Sequence, residues 1–387
     1  MAQAKSKKIG NSNIHFLGAI ATLIGMIIGA GVFGIPYVVN KAGVVNGIIL
    51  IIVIGLAILI LNLYIGEIIL RTKGKHGLIG YADIYLGSTA KKIMLFSMMI
   101  SLYGALTAYI IGESQIISTV FNISQFYAGI IFFVVMALIV HFGLEAIEKS
   151  ELILSIIFIV LFITLGVIAL YSSKFSTLNF ASSSWSTLLI PYGVILFAYG
   201  GMEAIPTINE ELGERKDLLK KAILFGSIIP IGIYLLFTIS VLGITGNSIT
   251  EVASIALGDS LGRNIAILAN VIAMFSMSTS FLGVGFALKQ IFIYDYSMKE
   301  LPAWLIVISI PLLIVALGFR SFTGIIGLAG AVGFGITGIM VIIMHEKSKK
   351  LGKRTPEYTV PNGFVLSGIL IAIFLLGIAY SVYQFFF

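Results

Sequence analysis

Cysteine is absent from the 387 residues, which excludes disulfides, cysteine-ligated zinc, iron–sulfur clusters and thiol nucleophiles. Charge is scarce as well: 11% of residues are Asp, Glu, Lys or Arg, against 59% hydrophobic and a mean hydropathy of +1.09. Soluble domains carry about 25% charge and an apolar share near half, so water is not the main solvent of this chain. The four histidines, His15, His76, His141 and His345, are scattered and make no ligand spacing. No Ser-His-Asp or HExxH arrangement and no Walker A loop occurs, which argues against a membrane enzyme and an ATP-driven pump. The short basic stretch Ala2 to Asn13 precedes an apolar run without a small-residue cleavage site, and reads as a cytoplasmic tail rather than a removed signal peptide.

What the chain does have is apolar runs of about 20 residues, long enough to cross a hydrocarbon core of about 30 Å as helices; a barrel would show short alternating segments. Set against their polar breaks, the runs predict eleven spans near 14–38, 44–70, 91–120, 126–143, 151–172, 187–209, 218–244, 264–289, 302–319, 322–345 and 363–386. Loops at His76 to Leu86 and Ile249 to Gly262 are expected to form short surface helices. No separate soluble domain remains: residues 14–387 form one membrane domain behind the tail 1–13. The net charge of +7 is a topology signal and not a nucleic-acid footprint, because the basic residues fall between spans. With a cytoplasmic N-terminus, 20 of the 24 Lys and Arg lie inside, leaving Lys41, Lys174, Arg263 and Arg320 outside. This follows the positive-inside rule and puts the C-terminus outside the cytoplasmic membrane.

Two spans carry breakers. Span 1 holds Gly25, Gly29, Gly31, Gly34 and Pro36 within twelve residues, and span 6 holds Phe197-Ala-Tyr-Gly200-Gly201-Met-Glu203-Ala-Ile-Pro206. Glycine costs about 1 kcal/mol and proline about 3 kcal/mol in a helix interior, so such a run either packs very tightly or interrupts the helix. Five spans separate the two, so they cross in opposite directions. Interrupted segments at corresponding places point to an inverted-repeat transporter: spans 1–5 (14–172), spans 6–10 (187–345) and an extra helix, 363–386. Amides freed at a half-helix N-terminus suit a carboxylate and freed carbonyls suit a cation, so one break can hold both ends of an amino acid.

Polar residues inside the spans complete the list of candidates. Ser276, Thr279 and Ser280 share one face of span 8 and could ligate a hard cation together with span 1 carbonyls, or simply bond their own helix. Glu67, Glu113 and Glu203 lie in apolar surroundings, where an ionisable group marks a functional pathway by default. Each could accept hydrogen bonds from broken-helix amides or carry a proton, and Glu67, near the cytoplasmic end of span 2, is expected to bridge to unwound backbone. Tyr109 shares a face with Glu113 and could bond a substrate carboxylate or a core carbonyl.

These motifs resemble a known family. Ile27-Ile-Gly-Ala-Gly-Val-Phe-Gly-Ile-Pro36, Tyr199-Gly-Gly-Met-Glu-Ala-Ile-Pro-Thr-Ile-Asn-Glu-Glu211 and Ser278-Thr-Ser-Phe-Leu-Gly-Val284 are similar to the first, sixth and eighth helices of permeases in the amino acid–polyamine–organocation superfamily. The branch resembled is that of the amino acid/auxin and the aromatic and hydroxy amino-acid permeases. The resemblance implies an all-α membrane protein of two inverted five-helix repeats plus one helix, with spans 1, 2, 6 and 7 rocking against 3, 4, 8 and 9. It implies that Gly29, Ala30 and Gly31 meet a substrate carboxylate, while Ala198, Tyr199 and Gly200 meet the amino group and side chain. Proton-coupled and exchanging members often place a lysine in mid-span 5, where this chain has Phe158 and no basic residue from Ile153 to Leu170. Sodium is therefore the expected coupling ion, touching the Gly25 and Ile28 carbonyls with Ser276, Thr279 and Ser280. The expected function is Na+-driven symport of a small or medium neutral amino acid, with no cofactor beyond the ion. Proton coupling, exchange and a non-transporting receptor remain as alternatives.

Overall fold

The computed structural model describes residues 2–142, 145–294, 296–361 and 363–386, with side chains described outside 2–14, 143–156, 158 and 294. Phe158 thus lies outside the described side chains. Every predicted span contains helix. Span 1 comprises α1 (Ala2–Ile27) and α2 (Gly31–Ala42); α3 (Val44–Arg71) is span 2. The short α4 (Leu78–Leu86) precedes span 3, α5 (Ser88–Phe121); α6 (Gln125–Phe142) and α7 (Glu145–Leu170) follow. Span 6 comprises α8 (Tyr192–Ala198) and α9 (Ala204–Glu211), span 7 is α10 (Leu219–Thr245), and the short α11 (Ala253–Leu261) leads to span 8, α12 (Arg263–Tyr294). Span 9 is α13 (Glu300–Ala316). Span 10 runs through α14 (Phe322–Leu328), a π-helical segment (Ala329–Phe334) and α15 (Gly335–Leu351), and α16 (Phe364–Phe386) ends the chain. The two halves repeat one order: a broken span, a long helix, a short helix, then three more spans.

Seven described helices are long and apolar enough to cross a membrane, and His15–Ile27 with Gly31–Ala42 qualifies as a pair bent by 52°. The other three fall short for separate reasons. Span 6 is split into halves of 7 and 8 residues, Ile159–Leu170 is the apolar described part of span 5, and Glu300–Ala316 has 17 residues, about 25 Å of helix. Both expected short helices are present, as α4 and α11, but α11 is buried from Ala253 to Gly258 and does not lie on the surface. The first helix begins at Ala2 rather than near residue 14, because α1 continues through the polar residues that precede the apolar run.

The periphery is apolar. Phe126, Tyr127, Ile131 and Leu138 on α6, and Phe364, Val365 and Leu376 on α16, are exposed, as lipid-facing side chains must be. Span 10 is the most buried of the seven qualifying helices, and glycines let it pack that closely. A Cβ on Gly193 of α8 would sit 2.1 Å from the Gly327 carbonyl, and one on Gly330 would sit 2.1 Å from the Gly193 carbonyl, so α8 and span 10 meet backbone to backbone.

Candidate functional site

The break in span 1 covers Ile28 to Ala30. Gly29 donates to the Ile27 carbonyl, and Val32 donates to Gly29 three residues back instead of to Ile28, which deprives the Ile28 carbonyl of its helical partner. The Ala30 and Gly31 amides stand at the start of α2, where a helix has no internal acceptor. In span 6 the break covers Tyr199 to Glu203, and Pro206 falls in the first turn of α9, where a missing N–H costs nothing. Pro36 lies further inside α2, where it removes one helical hydrogen bond.

The two breaks pack against each other. A Cβ on Gly31 would lie 2.7 Å from Ala198 Cα, and one on Gly201 would lie 2.6 Å from an Ile27 side-chain carbon. Only glycine permits these approaches. The C-terminal end of α1 and that of α8 therefore meet, and both carry the negative end of a helix dipole. Their carbonyls share one donor: the Tyr234 hydroxyl on α10 lies 2.9 Å from Ile27 O and 2.7 Å from Ala198 O. Tyr234 is fully buried, its ring centroid 4.9 Å from that of Tyr199.

Span 3 and span 8 close the other side. Ser280 Oγ would be 3.6 Å from a Cβ at Gly29, and the buried Tyr109 of α5 lies beside Ser280. Gly29, Tyr109 and Ser280 thus form one polar corner beside the free α2 amides. Glu113 is fully buried on the same helix as Tyr109; its Oε1 accepts from Ser278 at 3.1 Å and its Oε2 has no partner. Ser276 is buried, and the Thr279 hydroxyl donates to the Phe275 and Ser276 carbonyls of its own helix at 2.9 and 3.1 Å, which leaves lone pairs rather than a proton for a ligand. Gly25 is half-buried in the last turns of α1. Glu203 is half-buried immediately before α9, in the break itself.

Tyr199 and Glu67 stand otherwise than expected. Tyr199 does not turn its hydroxyl to the site but donates to the Ile51 carbonyl of α3 at 3.0 Å, so only its backbone borders the junction. Phe281 packs on Phe132 of α6, with centroids 5.6 Å apart. Glu67 does not bridge to unwound backbone. It is fully buried at the lysine-rich end of α3, bonded to Arg71 at 2.8 Å, to His345 Nε2 of α15 at 2.9 Å and to the Val360 amide at 2.7 Å. Its partners at 345 and 360 lie too far along the chain for local spacing to have named them.

Two residues escaped the sequence reading. Tyr234 sits in a uniformly apolar span and looks like core. Phe334 ends the π segment, packs on Phe197 at 6.1 Å and lies 2.4 Å from where a Cβ of Gly200 would be. The spacing of Gly324, Gly327, Gly330 and Gly333 was the available signal for a special span 10. A cavity of about 420 Å³ lined by Arg71, Lys353, Arg354 and Thr359 belongs to the 352–361 loop and not to the breaks.

The chain is similar to known proteins in fold and in sequence. The fold is that of MhsT, solved in complex with L-phenylalanine, with a TM-score of 0.67 at 16% identity, covering 96% of this chain and 98% of that one. Glutamine transporter 2 of Aliivibrio fischeri is 24% identical over 376 residues, 92% of this chain and 96% of that protein. Tyrosine-specific transport system 1 of Haemophilus influenzae is 25% identical over 294 residues, 71% and 72% of the two chains. The sequence matches the tryptophan/tyrosine permease family from residue 12 to 384, so this chain, a multi-span membrane protein and not an enzyme, belongs to that family.

Proposed function

We propose that this chain is a secondary transporter that carries a small or medium neutral amino acid across the cytoplasmic membrane, coupled to Na+, by alternating access. The observation that carries the reading is the convergence of the two breaks. Free Ala30 and Gly31 amides at the positive end of α2 suit the substrate carboxylate, with Gly29 giving room and Tyr109 a hydroxyl donor. The Ala198 carbonyl and the unwound Tyr199–Gly200 backbone suit the ammonium group, since a carbonyl has two lone pairs and Ala198 has given one to Tyr234. The Phe334 ring beside Gly200 and Phe197 supplies an apolar wall for the side chain. The related proteins named for glutamine and tyrosine transport support an amino-acid substrate.

Sodium would sit between spans 1 and 8, on the Gly25 and Ile28 carbonyls and the Ser276, Thr279 and Ser280 hydroxyls, and would hold the broken span 1 in its open state. Ser280 beside Gly29 and the outward lone pairs of Thr279 support this. A proton is the second reading, favoured by the unpartnered Oε2 of buried Glu113. Uptake of labelled amino acids into proteoliposomes tests both: accumulation driven by an inward Na+ gradient is expected, and equal accumulation in choline would remove the sodium part. Saturable binding without counterflow would indicate a receptor. In orientation, the basic loops and N-terminus face the cytoplasm and the C-terminus faces outside.

A further inference from the structure

The Ile27 and Ala198 carbonyls terminate α1 and α8, two half-helices whose negative ends meet in a buried interior. Converging carbonyls at half-helix C-termini are the arrangement that ordinarily takes a monovalent cation. Here the space between them is bridged by one phenolic hydroxyl, whose oxygen lies 2.9 Å from the first carbonyl oxygen and 2.7 Å from the second. The phenol arrives from span 7, and its ring is fixed by Tyr199, which is itself bonded to Ile51 of span 2. Spans 1, 2, 6 and 7 are thereby tied through two tyrosines and three backbone carbonyls.

We propose that Tyr234 is a positioning residue whose hydroxyl takes the place of a bridging cation between the two broken spans and fixes the separation of their carbonyls. The consequence is that the junction of spans 1 and 6 needs no ion of its own, and any coupling ion binds elsewhere. One proton shared by two acceptors leaves lone pairs on both carbonyls, so the junction still attracts a substrate ammonium without a metal ion beside it. Only this last step rests on the transport reading above.

Three full-length variants test it. Tyr234→Phe keeps the ring and removes the bridge; Tyr234→Lys puts an ammonium of similar reach between the carbonyls; Tyr358→Phe is the control, losing a tyrosine–carbonyl bond of 2.8 Å to Leu63 far from the breaks. The first readout is melting temperature without amino acid, in NaCl, KCl or choline chloride. Tyr234→Phe is expected to gain stabilisation by a small cation beyond any wild-type response, and Tyr234→Lys and Tyr358→Phe are expected to gain none. The second readout is amino-acid affinity: a tenfold or greater loss in Tyr234→Phe that Tyr234→Lys largely restores. A Tyr234→Phe protein with wild-type cation response and affinity would overturn the proposal. So would failure of Tyr234→Phe and Tyr234→Lys alike, in folding or in binding, since that assigns Tyr234 to packing alone. Because the cation response needs no substrate, it stands or falls separately from the transport reading.

Discussion

A single methyl group at Gly31 would collide with Ala198, 2.7 Å from its Cα and 2.9 Å from its Cβ, and neither atom belongs to a flexible side chain that can swing away. Gly31→Ala therefore has to push the two breaks apart, and is expected to lower amino-acid affinity by tenfold or more while leaving the spans helical, as circular dichroism would check. Glu113 presents a different test. Glu113→Gln keeps an oxygen for Ser278 but cannot release a proton. If the carboxyl carries protons, this variant retains counterflow and loses accumulation driven by a pH gradient; under sodium coupling, Na+-driven accumulation persists. At this scale the sequence was an uneven guide. Glycines announced the breaks because their cost in a helix demands a reason, and Tyr109 and Glu113 stood out as polar groups among apolar ones. Tyr234 did not, because a tyrosine in an apolar helix reads equally as core, and its two acceptors are carbonyls that no sequence pattern displays.

Elements were more legible than contacts. Hydropathy located every span, and the short helices α4 and α11 followed from the composition of their loops. The π segment in span 10 was not foreseen, since its six residues are as apolar as an ordinary helix; Gly330 meets α8 there and Gly333 meets α5. The 352–361 loop, for which the sequence offered no reading, is strapped to α3. Val360 donates to Glu67, Lys353 donates through its backbone to the Arg71 carbonyl at 2.9 Å, Arg354 donates to the Leu70 carbonyl at 2.9 Å, and the Tyr358 hydroxyl fills the space that Gly66 leaves. Replacing Glu67 by Ala would strand buried His345 and half-buried Arg71 and release the Val360 amide. A loss of about 3–5 kcal/mol is expected, the cost of breaking a buried pair. Hydrogen exchange should report it first as faster exchange at 352–361, while exchange at the breaks stays slow.

For the whole molecule, the basic-residue split makes a prediction that the absence of cysteine renders simple to check. Single cysteines introduced at exposed Thr355 and at exposed Ser183, on opposite ends of the bundle, should label from opposite sides of intact cells with an impermeant maleimide. Thr355→Cys is expected to react only after permeabilisation and Ser183→Cys without it; the reverse would invert the topology. The central claim is that the two breaks form one amino-acid site, and the most direct test is the melting temperature of the purified protein in detergent across single amino acids, in NaCl and in choline chloride. A ligand that binds only the folded state at 100 times its Kd stabilises it by about 2.7 kcal/mol. The account predicts that a neutral amino acid raises the melting temperature, more in sodium than in choline, and that Gly31→Ala cuts the rise at least to about half. A shift that survives Gly31→Ala undiminished, or no shift with any amino acid at millimolar concentration, would contradict it.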